Sequence, residues 1–284
     1  MRARTHFSAI CLSVCLLTAS FAATKQPIKK LKHDPNVPSV DLFEAIEKGT
    51  VETTVIAKSA NDANLFITNK SQAAVSVKMP PAVVAVQVLK QFSPPGGQSG
   101  LGNSGQQGGN TGMGQAQSIG GGSQNSMGNN SSNGSMSGIG NGFSNIGSGI
   151  GNNAGTGFFS VPPQKTVQVP LKTVCLSHGK PDPRPRMKYQ LVKLEDFSDD
   201  PVLHETLKLY ASGEIEVQSA QAAVWHLTDN MSWKDLRAKQ IERLGGLDPL
   251  PYFSQGDVDA AERLIAKARE MAKDKSRKVE RAAR

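Results

Sequence analysis

From position 51 the apolar residues fall on every second place. Val51, Thr53 and Val55 alternate with Glu52, Thr54 and Ile56, Leu65 and Ile67 with Phe66 and Thr68, and Val75 and Val77 with Ser76 and Lys78. Val83 to Leu89 is a further β-branched run, and Thr166–Val169 and Leu171–Leu176 resume the alternation after Phe158, Phe159 and Val161. A period of two predicts half-buried strands, and the intervening Asn61-Asp62 and Asn69-Lys70-Ser71 suit tight turns. Short strands at this spacing are expected to form a small antiparallel Ig-like β-sandwich over 38–93 plus 158–178. Its buried face is expected to hold Val51, Val55, Leu65, Ile67, Val75, Val77, Val84, Val86 and Val174.

Elsewhere the period is helical. Ser39 or Asp41 can cap a short helix that ends at Gly49. Beyond the extended Lys180-Pro-Asp-Pro-Arg-Pro185, a helical unit is expected within 179–246. Its first helix begins at Asp199-Asp200-Pro201 and its second spans about 217–228. The third starts at Ser232 and Asp235, carries Leu236, Ile241 and Leu244, and stops at Gly245-Gly246. Trp225 and Trp233 are expected to anchor this unit. A final helix over 254–284 has the stripe Val258, Ala261, Leu264, Ile265, Ala268, Met271 and Ala272, followed by a basic end. The fold class expected is therefore α+β: sandwich, short helical unit, C-terminal helix.

Composition changes the picture in one place. Of 284 residues 28 are Gly, and 22 of these lie in 94–157, a stretch without any charged residue. Such a segment buries too little apolar area to offset the entropy of ordering it, and reads as a disordered Gly/Ser/Asn-rich insertion in a loop of the β-domain. Loop closure costs only about 0.6 kcal/mol per doubling of length, so excising 94–157 is expected to leave folding nearly unchanged. Gly149 to Ala154 fits a dinucleotide fingerprint in letters only, since no strand precedes it and no helix follows.

The N-terminus suggests the compartment. Residues 1–22 carry Arg2 and Arg4, an apolar run and a small-residue end at Ala22, the pattern of a secretory signal peptide; the run is too short for a transmembrane span. A basic leader over 23–37 follows. Cleavage would remove Cys11 and Cys15, leave Cys175 alone, and lower the net charge from +8 to +6. A secreted or periplasmic, envelope-associated protein without an intrachain disulfide or a remaining transmembrane segment is expected, with Cys175 buried as a small hydrophobe.

Candidate chemistry is sparse. His33, His178, His204 and His226 lack metal-ligand spacing, and Cys175-x-x-His178 supplies two ligands at most, so no metal, cofactor or catalytic site is assigned. Basic residues are not interleaved with aromatics as nucleic-acid binding requires. One pair stands out. Gln221-Ala-Ala-Val-Trp225 resembles the Gln-x-Ala-Ile-Trp stretch of thioester domains in bacterial surface adhesins, which implies an internal thioester between Cys175 and Gln221. A broader resemblance rests on Phe158–Pro163, on Thr173–Pro185 with its Cys-Leu-x-x-Gly-Lys segment, and on Ala220–Asp235. These are similar to a family of uncharacterised secreted proteins of planctomycete bacteria, which implies the two-part layout and no activity. The function expected is non-catalytic binding or structure, with an envelope protein or polysaccharide as possible partner. The alternative is covalent chemistry at Cys175.

Overall fold

The computed structural model describes residues 26–88, 117–123, 157–282 and 284. The expected signal peptide over 1–22 and most of the 94–157 segment lie outside these residues. In chain order the elements are β1 (Ser39–Asp41), α1 (Leu42–Glu47), β2 (Val51–Ala57), β3 (Asp62–Asn69), β4 (Val75–Lys78), β5 (Val83–Gln87) and β6 (Ile119–Gly122). Then come β7 (Phe158–Val161), β8 (Thr166–Cys175), β9 (Tyr189–Val192), α2 (Leu194–Phe197), α3 (Pro201–Ala211), α4 (Val217–Thr228) and α5 (Trp233–Ala238). The last are β10 (Gln240–Ile241), β11 (Leu250–Pro251) and α6 (Gln255–Ala282).

The β-domain is not a sandwich. Six strands close into a barrel in the order β2-β3-β8-β6-β5-β9, each antiparallel to its neighbours, and Val55 opposite Tyr189 completes the ring. The alternation in β2, β3 and β8 forms strands as expected, but β6 and β9 supply the pairings that turn two open edges into a closed ring. Closure leaves no free edge in that ring. A small mixed sheet, β1-β4-β7, lies beside it, with β1 parallel and β7 antiparallel to β4.

Val51, Val55, Leu65, Ile67, Ile119, Val167, Val169 and Leu171 belong to the barrel's core cluster, with Leu42 and Ala45 of α1 packed against them. Each such aliphatic contributes about 1.5–3 kcal/mol by burial. The expected buried β-face divides. Val77 joins this cluster, Val84 and Val174 face the helices, and Val75 and Val86 are half-buried. The helices form two further layers. Leu203, Leu207 and Tyr210 of α3 and Ala220 and Val224 of α4 cover Val84, Val174 and Leu176, and α6 closes the outer side with Val258, Ala261, Leu264 and Ile265.

Two segments depart from their expected roles. The basic leader is in part a strap: the Ile28 N–H donates to the Thr166 carbonyl, its own carbonyl accepts from Gln168, and the Lys32 carbonyl accepts from Ser160. Ile28 and Leu31 pack on the barrel core. More consequentially, Ile119–Gly122, inside the Gly-rich segment, is the strand between β5 and β8. Ile119 fills the interior, Gly120 and Gly122 let the backbone pass under α3, and Gly121 lets it pass close against β8. A Cβ on Gly120 would meet Leu176 and Leu207 side-chain carbons at 3.0–3.1 Å, one on Gly122 would lie 2.5 Å from the Ala211 Cβ, and one on Gly121 would lie 1.9 Å from the Lys172 carbonyl oxygen. The segment is thus not wholly a loop insertion, because its glycines meet a steric need of the barrel.

Excision of 94–157 is therefore expected to abolish cooperative folding, contrary to the loop expectation. Alanine substitutions should rank Gly121 above Gly122 above Gly120 in destabilisation, with Gly122→Ala costing about 1–3 kcal/mol by overpacking. Urea unfolding of the three variants checks the order; equal and negligible effects would remove β6 from the barrel.

Candidate functional site

The structure brings Cys175 and Gln221 together in an orientation set by the backbone. On one side of β8, pairing with β3 ends near Thr173, whose N–H donates to the Asn61 carbonyl. Beyond it the Gln221 carboxamide of α4 takes the place of a strand: the Cys175 N–H donates to Gln221 Oε1 at 2.8 Å, and Gln221 Nε2 donates to the Cys175 carbonyl at 2.8 Å. A carboxamide reproduces the donor-acceptor pair of a peptide, so one side chain satisfies both polar groups. The thiol belongs to the barrel core, 2% exposed, and burial pushes its pKa up to about 12, with Asp182 adding to the rise. Thioester formation would require the carboxamide carbon to leave both hydrogen bonds and meet a thiol that now packs with the barrel interior. Thiolate chemistry is suppressed at that pKa.

Cys175 and His178 do not converge. The His178 ring lies edge-on to Trp225 with centroids 4.7 Å apart, and its Nε2 is 2.9 Å from Lys239 Nζ. Burial first, then the Lys239 ammonium, hold His178 below its ordinary pKa, with Asp229 opposing. The neutral ring therefore accepts from Lys239. His33 bonds to Ser76, His204 to the Ser198 carbonyl and His226 to the Met231 carbonyl, each in a separate place. Among the described residues no group of three or more His, Cys, Asp or Glu is arranged to hold a metal, and no helix is long and apolar enough to cross a membrane.

The feature that stands out on the surface lies where the apolar spacing predicts the last turns of a helix, around Ile241 and Leu244. The capping box of Ser232 and Asp235 starts α5 as expected, but the helix ends at Ala238 because Lys239 is extended, with ψ of 130°. The chain then forms a hairpin. Gln240 and Ile241 pair with Pro251 and Leu250, and Gly245 and Gly246 turn the tip at φ of +82° and +70°, backbone that favours glycine. Ile241, Leu244, Leu247 and Leu250 are exposed, Leu244 to 96%. The signal in the sequence was Gly-Gly between aliphatics, with Pro249 and Pro251 in the returning leg.

Both legs are anchored in an aromatic cluster. Trp225, 4% exposed, packs on Tyr252 and Phe253 at 5.5 and 5.7 Å between centroids, and Lys239 Nζ lies 5.6 and 5.1 Å from the Trp225 and Tyr252 rings. The Tyr252 N–H donates to the Lys239 carbonyl. Trp233, the other expected anchor, is half-buried and stacks on His226 at 4.0 Å. A second capping box, Ser254 with Asp257, starts α6 directly behind the hairpin. The result is a fixed base that presents an apolar tip.

No family model, curated protein or solved structure matches this chain. The likeness to planctomycete secreted proteins thus rests on the sequence motifs alone.

Gln221→Ala should cost about 2–4 kcal/mol, since it strands a buried N–H and a buried carbonyl, and the intact mass of the wild-type chain should show no loss of ammonia. Cys175 should react with a thiol reagent only after denaturation; a mass deficit with methylamine reactivity would instead establish the thioester. A second outcome concerns pH. With His178 held neutral in the folded chain, the unfolded chain takes up its proton first, so stability should decline as pH falls below about 6.5. Urea midpoints at about pH 7.5 and 5.5 should differ less in His178→Gln than in the wild type.

Proposed function

We propose that the protein is a non-catalytic binding or structural module of the cell envelope or the secreted space, docking through the 240–251 hairpin. One observation carries the reading: of six large hydrophobic residues exposed among the described residues, four, Ile241, Leu244, Leu247 and Leu250, sit on this hairpin. Single exposed aliphatics are ordinary on a protein surface, but four on one projecting element mark an interaction site. The placement fits that role, since binding residues are commonly carried by loops on a rigid scaffold. The signal peptide read at residues 1–22 supports the compartment. Covalent chemistry at Cys175 has the nearness of Gln221 in its favour, against a carboxamide and a thiol that are both otherwise engaged.

Leu244→Asp with Leu247→Asp should leave the melting temperature within about 2 °C of wild type, as exposed positions do. The same double variant should abolish co-sedimentation with isolated envelopes of the producing cell. A variant that pellets as fully as the wild type would show that the hairpin is not the docking element.

A further inference from the structure

The second exposed apolar feature lies at the other end of α6. There a groove of about 360 Å³ is bounded by Pro201, His204 and Glu205 of α3 and by Ala272, Lys275, Ser276, Val279 and Glu280 of α6. Its floor continues the buried stripe of α6: Val258, Ala261, Leu264, Ile265, Ala268 and Ala272 are buried against the body, and Val279 carries the same face past α3 into solvent. Groove and hairpin thus expose apolar surface at opposite ends of one helix. The base of the hairpin adjoins Gln255, and Val279 is 24 residues further on, about 36 Å at 1.5 Å per residue. One copy therefore cannot fill its own groove with its own hairpin.

We propose that the occupant of this groove is the hairpin of a second copy of the chain, giving a head-to-tail contact in which Leu244 and Leu247 enter between α3 and α6. This rests on the docking role proposed for the hairpin and names its partner. Charge supports the choice. The groove carries Glu280 and the exposed Lys275, whose ammonium lies 3.9 Å from the nearly buried Glu205 carboxylate of α3, and the hairpin tip flanks its leucines with Arg243 and with Glu242 and Asp248. Arg243 against Glu280, and Asp248 against Lys275, place opposite charges around an apolar centre, the arrangement that fixes register in an interface. Because the two surfaces differ, the contact is heterologous, and each copy bound leaves one hairpin and one groove free at the ends. The apolar area is small, so association is weak and requires high concentration.

Sedimentation at about 500 µM tests it. Wild type should associate beyond a dimer, whereas Leu244→Asp alone and Val279→Asp alone should each stay monomeric. Mixed in equal amounts, the two variants should form a dimer and nothing larger, because the first retains its groove and the second its hairpin. A monomeric wild type, or a mixture that stays monomeric, overturns the proposal, as does continued association of either variant alone. Should an aspartate variant lose its fold, the charge pair serves instead: Arg243→Glu and Glu280→Arg each weaken association and the double exchange restores it, and failure to restore overturns the contact. If wild type is monomeric while the hairpin variant is released from envelopes, docking by the hairpin stands and only its assignment to a second copy falls.

Discussion

The structure depends on a close approach between a strand and a helix. Strand β6 lies directly beneath α3, with no room for side chains at Gly120, Gly121 and Gly122 on the paths their Cβ atoms would take. That contact does two things together. It closes the barrel, pairing β6 with β5 and β8, and it brings Leu207 and Ala211 onto the barrel wall, so that α3 and the barrel share one apolar layer. Side chains at Gly120 and Gly122 would separate the helix from the sheet and expose Val84, Val174 and Leu176, and one at Gly121 would collide with the Lys172 carbonyl and part β6 from β8. The entropy lost in ordering three glycines is large, and the burial that this approach allows on both faces of the strand offsets it.

The end of β8 relays the same constraint to the outer helices. Past Thr173 this strand has a neighbour only on the β6 side, and an unsatisfied N–H and carbonyl at Cys175 would weaken the wall where α4 crosses it. Gln221 removes that cost and, by doing so, fixes α4. Trp225 lies one turn further along α4 and is the centre against which Tyr252, Phe253, His178 and Lys239 gather. A chain of direct contacts thus runs from the glycine strand through Gln221 and Trp225 to the base of the hairpin.

What could be read in the sequence follows from how local each signal is. Alternation in β2, β3 and β8, the Asp200-Pro201 start of α3, the Ser232–Asp235 box and the stripe of α6 are set by near neighbours in sequence, and each was legible. The barrel was not, because its closing strands carry signals that composition hides. Ile119-Gly-Gly-Gly122 has no alternation and sits among residues of its own kind, so only its fit beneath α3 distinguishes it from the surrounding glycines. Tyr189–Val192 is four residues long and follows a proline-rich stretch. Without those two strands the remainder has open edges and reads as a sandwich. The hairpin was missed for a related reason: Leu236, Ile241 and Leu244 are compatible with one helical face, and only the pairing of Ile241 with Leu250, nine residues on in the returning leg, takes the chain out of the helix at Lys239. The Cys175–Gln221 pair was legible as a juxtaposition, but its geometry was not, since a sequence does not say whether a glutamine meets a side chain or a backbone.

The contrast between the two ends of the hairpin bears on function. Its base is held by aromatic packing, a cation over two rings and a backbone hydrogen bond, while its tip bears aliphatic side chains in water. Exposed leucines on a flexible loop would collapse onto the body and bury themselves. On a fixed ribbon they cannot, so the apolar area remains available and little ordering entropy is lost on association. The same reasoning applies at the far end of α6, where the helix carries Val279 past the last residue of α3 able to cover it. The contacts at its base hold the hairpin's leucines away from the body, and the separation of the two surfaces along α6 directs any contact between them outward, from one molecule to the next.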